Sequence, residues 1–116
     1  MSLVEQKFTL AAGQLFSEII EITTTENDET IFMPANDIAE VKATVRRQAN
    51  RQAPALYTKT LTRSGNGYPF TLTSEETTAL NSGTYFADVY VRLSSGAVAG
   101  YPVRLVLTVE PTTTQP

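Results

Sequence analysis

The chain has 116 residues, 41% hydrophobic and 18% charged, with a formal net charge of -3; this is ordinary usage for one folded domain and argues against disorder outside the ends. Cysteine and histidine are both absent, which removes a disulfide framework, thiolate metal sites, the commonest zinc ligand and the imidazole base of nucleophilic triads. No apolar run approaches the roughly 20 residues of a spanning helix, and residues 1–10 lack a basic start followed by an apolar core, so neither a membrane partner nor a cofactor is expected.

Alternation with period two marks half-buried strands, and it recurs along the chain. Val4 to Leu10 is the first segment, and Gly13 separates it from a longer β-branched run from Gln14 to Thr24. In that run Leu15, Phe16, Ile19, Ile20 and Ile22 do not keep to one face, which predicts a strand covered on both sides or bulged. Glu26-Asn27-Asp28-Glu29 and Pro34-Ala35-Asn36 read as turns, with a brief strand from Ile31 to Met33 between them.

From Ile38 to Arg47 the pattern is clean, with Val41, Ala43 and Val45 on one face and Glu40, Lys42, Thr44 and Arg46 on the other, as in an antiparallel strand buried on one side. Gln48 to Pro54 is an exposed loop. Leu56 to Thr62 and Tyr68 to Leu72 then read as a hairpin pair around Ser64-Gly65-Asn66-Gly67, with Tyr68, Phe70 and Leu72 inward and Pro69 outward on an edge. Thr73-Ser74-Glu75-Glu76 is a capping box that predicts a single helical turn. Thr84 to Leu93 places Tyr85, Ala87, Val89, Val91 and Leu93 on one face and Phe86, Asp88, Tyr90 and Arg92 on the other, and Ser94-Ser95-Gly96 turns the chain into Val98 to Glu110.

About seven short strands with frequent turns predict an all-β, antiparallel sandwich with one short helical turn before the penultimate strand. The boundaries are a single domain over residues 1–110 and a flexible tail or linker over 111–116. The inward sets Val41, Ala43, Val45 and Tyr85, Ala87, Val89, Val91 are expected to face each other across its core.

Asn81-Ser82-Gly83-Thr84-Tyr85-Phe86-Ala87 resembles the tyrosine corner of immunoglobulin-like domains, with Ala87 where antibody domains carry their second cysteine. The resemblance implies that Tyr85, with Gly83 and Asn81, ties the helical corner to the penultimate strand through a backward hydroxyl bond. The stretch from Phe70 through Thr73-Ser74-Glu75-Glu76 to Gly83-Thr84-Tyr85, then Asp88-Val89-Tyr90-Val91, a Ser-Ser-Gly turn and a last strand, is similar to the immunoglobulin-like domains of bacteriophage tail and baseplate proteins. These include the N-terminal domains of baseplate upper proteins. That resemblance implies a structural module of a virion, with protein partners that are neighbouring virion proteins or further copies of itself.

Charge divides the chain. Eight of the twelve acidic residues lie between Glu5 and Glu40, whereas Val41 to Ser74 has no acid and carries Lys42, Arg46, Arg47, Arg51, Lys59 and Arg63. Cations on one strand are ordinarily its wet face, and no aromatic residue lies between Met33 and Tyr57, so Arg46, Arg47 and Arg51 point to an acidic protein partner before nucleic acid. Phe86 and Tyr90, on the strand face opposite the core set, are the candidate apolar centre of an interface. Glu75 and Glu76 are adjacent and do not converge on one substrate, so capping explains them better than acid–base work. Around Asp28 the acidic turn lacks the ligand spacing of a calcium loop. The expected function is non-catalytic protein packing. The competing expectation is an immunoglobulin-like binding module of a bacterial surface protein, recognising carbohydrate or a host protein.

Overall fold

A computed structural model describes residues 4–50 and 52–111. Nine strands and one helix are present among the described residues: β1 (Val4–Ala11), β2 (Phe16–Glu21), β3 (Thr23–Glu26), β4 (Glu29–Phe32), β5 (Ile38–Arg46), β6 (Ala55–Thr60), β7 (Gly67–Leu72), α1 (Ser74–Ala79), β8 (Gly83–Leu93) and β9 (Val98–Glu110), with a 3-10 turn at Ala35–Asp37 before β5. They form an all-β sandwich. One sheet has five strands in the order β1-β9-β8-β5-β6, and β2 and β7 form the sheet opposite, with β3 and β4 as a separate two-stranded ribbon.

β4 takes the place of the brief strand expected from Ile31 to Met33, and the further strand, β3, comes from the end of the run after Gly13. Ile22 interrupts it between β2 and β3, and Asn27 and Asp28 adopt left-handed φ of 51° and 64°, the geometry that a two-residue hairpin demands, so β3 turns directly into β4. The mixed faces of this run resolve without a bulge or a second cover. Phe16, Ile20 and Ile22 are buried, whereas Leu15 and Ile19 are 58% and 62% exposed. Ile19 lies across Gly67, its Cγ2 filling the space that a side chain at 67 would need.

Not every pair is antiparallel. β1 runs parallel to β9, from Val4 opposite Val103 to Ala11 opposite Glu110. No short connection constrains these two strands, because the rest of the domain is their crossover.

The expected pairing of β6 with β7 is also corrected. β6 pairs with β5 and β7 with β2. Ser64 and Gly67 do exchange backbone bonds of 2.8 and 3.1 Å around the predicted turn, but a tight turn fixes only local geometry. Burial of Tyr68, Phe70 and Leu72 in the common core with Phe16 and Ile20 sends the chain to the opposite sheet. Arg63 holds the crossing, with its Nη1 donating to the Met33 carbonyl at 3.1 Å and its Nε to the Gly65 carbonyl at 2.9 Å.

The inward sets of β5 and β8 are buried, yet they do not face each other across the core. They lie side by side in one sheet, with Val41 opposite Val91, Ala43 opposite Val89 and Val45 opposite Ala87. Across from them stand Phe16, Ile20, Phe70 and Leu72 of the smaller sheet. An edge-to-face contact from Phe8 to Phe16 (5.4 Å) links the two sheets, and another from Phe16 to Phe70 (6.2 Å) continues it within the small one.

Candidate functional site

Thr73 starts α1 with both halves of the capping box: its hydroxyl accepts from the Glu76 N–H at 3.2 Å, and its own N–H donates to Glu76 Oε1 at 2.9 Å. The same carboxylate oxygen meets Lys59 Nζ at 2.5 Å, and the Tyr57 hydroxyl donates to the Glu76 carbonyl at 3.1 Å. α1 is thereby tied to the edge strand β6. The Lys59 bond, followed by the Thr73 N–H, holds the Glu76 carboxyl below its ordinary value. On the far side of α1, the buried Thr77 hydroxyl donates to the Gln14 carbonyl at 2.8 Å and accepts from the Gly13 N–H at 3.1 Å.

Beyond α1 the chain reaches Tyr85, which is fully buried, and its hydroxyl donates to the Asn81 carbonyl at 2.6 Å. Gly83 between them has φ +142°, and a Cβ there would meet Arg47 Nη2 at 3.3 Å. Arg47 lies over the corner, with its guanidinium 5.1 Å from the Tyr85 ring centroid and its Nη1 donating to the Tyr85 hydroxyl at 3.2 Å. Arg46 and Arg47 therefore diverge, one to each side of the sheet. Arg51 lies outside the described residues, as does the 112–116 part of the tail.

The outward face of the five-stranded sheet is organised around Asp88. Its place is central: Arg104 of β9 and Thr44 of β5 flank it in register, and its side chain is only 2% exposed. A carboxylate in mid-strand would be costly without counter-charge. Arg104 Nε supplies it at 2.6 Å, and Arg46 Nη1 approaches the other oxygen at 3.9 Å, a charge contact without a hydrogen bond. Arg46 is anchored separately, its Nε donating to the Ala53 carbonyl at 3.0 Å.

Next to this cluster Phe86 lies under the Arg104 guanidinium, 5.7 Å from ring centroid to Cζ, and Tyr90 stands opposite Lys42. Both aromatics are half-buried by their neighbours. Glu40 completes the row, 3.6 Å from both Lys42 and Arg92. On this part of the face four cations meet two carboxylates, leaving a positive surplus around two aromatic rings. Glu5 and Lys7 of β1, in register with Arg104 and Val106, balance each other.

Sequence reasoning named Phe86, Tyr90 and Arg46 but missed the Asp88–Arg104 pair. No local signal gives the pair: counted from Arg92 opposite Val98 beside the turn, a regular ladder would set Asp88 against Pro102, and register shifts between Val89 and Arg92 bring Arg104 there instead. A cleft of about 250 Å³ between Thr24, Met33, Asp37, Leu93, Ser94 and Ser95 lies apart from the Asp88 face. Among the described residues no group of acidic side chains converges to hold a metal ion.

Two packed sheets, the β2–β7 pair opposite β5 and β8, and the bonded tyrosine at the start of β8 define an immunoglobulin-like β-sandwich module. No family model matches the chain, and no curated protein matches it. Among solved structures it is similar to the fibronectin(III)-like modules of Clostridium thermocellum CbhA, at 11% identity over 94% of this chain and 92% of that one, with a TM-score of 0.48.

Proposed function

We propose that this chain is a non-catalytic interaction module that acts through protein–protein packing, with the outward face of the five-stranded sheet as its working surface and an acidic protein surface as its partner. The observation that supports this reading is the Arg46–Asp88–Arg104 cluster beside Phe86 and Tyr90. Its groups are fixed on adjacent strands, so little side-chain freedom remains to be lost on binding. Aromatic and arginine side chains at the centre of a patch, with Lys42 and Arg92 at its rim, are the composition of protein contact sites. Placement of the module in a phage tail or baseplate particle rests on the sequence resemblance.

Co-expression with the products of the neighbouring genes tests the proposal. Wild type is expected to co-purify with one of them, and Phe86→Ser/Tyr90→Ser is expected to lose it while keeping a cooperative melting transition. A complex that survives this substitution, or a chain that associates neither with these products nor with itself, overturns the reading.

A further inference from the structure

The opposite face of the sandwich has the reverse character. From Phe8 to Val41 the chain contains no lysine or arginine, and apart from Glu40, which belongs to the basic face, it holds Glu18, Glu21, Glu26, Asp28, Glu29 and Asp37. β7 carries no charge at all. Leu15, just before β2, and Ile19, on its outward side, are the two most exposed large apolar side chains among the described residues. Ile19 pairs with Pro69 of β7, and Ser17 and Thr71 exchange a hydroxyl contact of 3.1 Å beside it. An apolar ridge with Glu21 at its end and the acidic β3–β4 turn beyond it therefore covers the small sheet.

We infer that the partner of the basic, aromatic face is the acidic, apolar face of a second copy of this chain, so that Leu15 and Ile19 of one molecule pack on Phe86 and Tyr90 of the next. This rests on the working surface proposed above and names its occupant. Charge complementarity is the argument: the positive surplus that Lys42, Arg46, Arg92 and Arg104 leave over Glu40 and Asp88 meets a small sheet and β3–β4 turn whose own charges are all acidic, Arg63 at their edge being held by the Met33 and Gly65 carbonyls, and each side supplies an apolar centre. The two faces lie on opposite sides of one core, so the contact joins unlike surfaces. Repeated, it builds a ring if the rotation closes and a filament if it does not.

Two half-blocked variants test this directly. In Leu15→Ser/Ile19→Ser the small-sheet face is removed, and in Phe86→Ser/Tyr90→Ser the large-sheet face is removed; each keeps the other face. In sedimentation, wild type should exceed the dimer as concentration rises and should weaken with salt. Each variant alone should lose at least about tenfold in association, and an equimolar mixture should form a one-to-one dimer and nothing larger. If Phe86→Ser/Tyr90→Ser fails to fold, the exposed rim substitutions Lys42→Glu/Arg92→Glu take its place.

A mixture that stays monomeric overturns the inference, as does a wild type that is monomeric up to millimolar concentration. A monomeric wild type that still loses its co-expressed partner through Phe86→Ser/Tyr90→Ser overturns self-association alone. Retention of that partner by the variant overturns the working surface itself.

Discussion

Asp88 and Arg104 stand opposite each other on β8 and β9, and the arginine Nε donates to the aspartate Oδ1 across 2.6 Å. Neutralising the carboxylate leaves Arg46 and Arg104 facing each other over a strand centre with restricted access to water. Asp88→Asn is expected to destabilise the fold by about 2 to 4 kcal/mol, the range for removing one member of a buried charged pair. Urea unfolding at neutral pH measures it. A loss within about 0.5 kcal/mol would show that the pair is only an ordinary surface contact.

At the corner, Tyr85→Phe removes the 2.6 Å bond to Asn81 and the contact from Arg47 without changing the buried ring. The expected cost is about 1 to 2 kcal/mol, or a melting midpoint lower by several degrees in a domain of this size. Arg47→Ala leaves the Asn81 bond in place and should cost less. Equal midpoints for wild type and Tyr85→Phe would contradict the corner as a stabilising device.

Glu76 couples stability to pH. Its carboxyl is held low in the folded chain by Lys59 and then by the Thr73 N–H, so as the pH falls the unfolded chain takes up the proton first. The stabilisation is complete above the unfolded glutamate value of about 4.3, and it is lost as the pH falls through the lower folded value. Glu76→Gln keeps an acceptor for the Thr73 N–H but gives up the charge, and should cost about 0.5 to 1 kcal/mol near neutrality. Unfolding curves at neutral pH and below pH 4 should show the wild-type advantage shrinking toward zero. An advantage unchanged across that range would contradict the assignment.

Local signals in the sequence were read well where they act locally. The Thr73–Glu76 capping box, the alternation of β5 and β8 and the inward set Tyr68, Phe70, Leu72 all match the structure. What depends on partners was less legible. The Ser64–Gly67 turn gave no warning that β6 and β7 part company, because sheet membership is settled by distant core contacts with Phe16 and Ile20. Leu15 and Ile19 looked like core residues by composition, yet the register with β7 puts Ile19 outside and Leu15 lies exposed just before it begins. Arg46 and Arg47 formed one basic run in the sequence, yet β5 ends at Arg46, and Arg47 beyond it is taken up by Tyr85.

Amide chemical shifts of the isotope-labelled chain, followed from micromolar to millimolar concentration, test the account most directly. Two clusters should move together and return on adding salt: Arg46, Phe86, Tyr90 and Arg92 on the large sheet, and Leu15, Ile19 and Glu21 on the small one. Shifts confined to the cleft around Thr24, Met33 and Ser95, or a spectrum unchanged over the whole range, would contradict it.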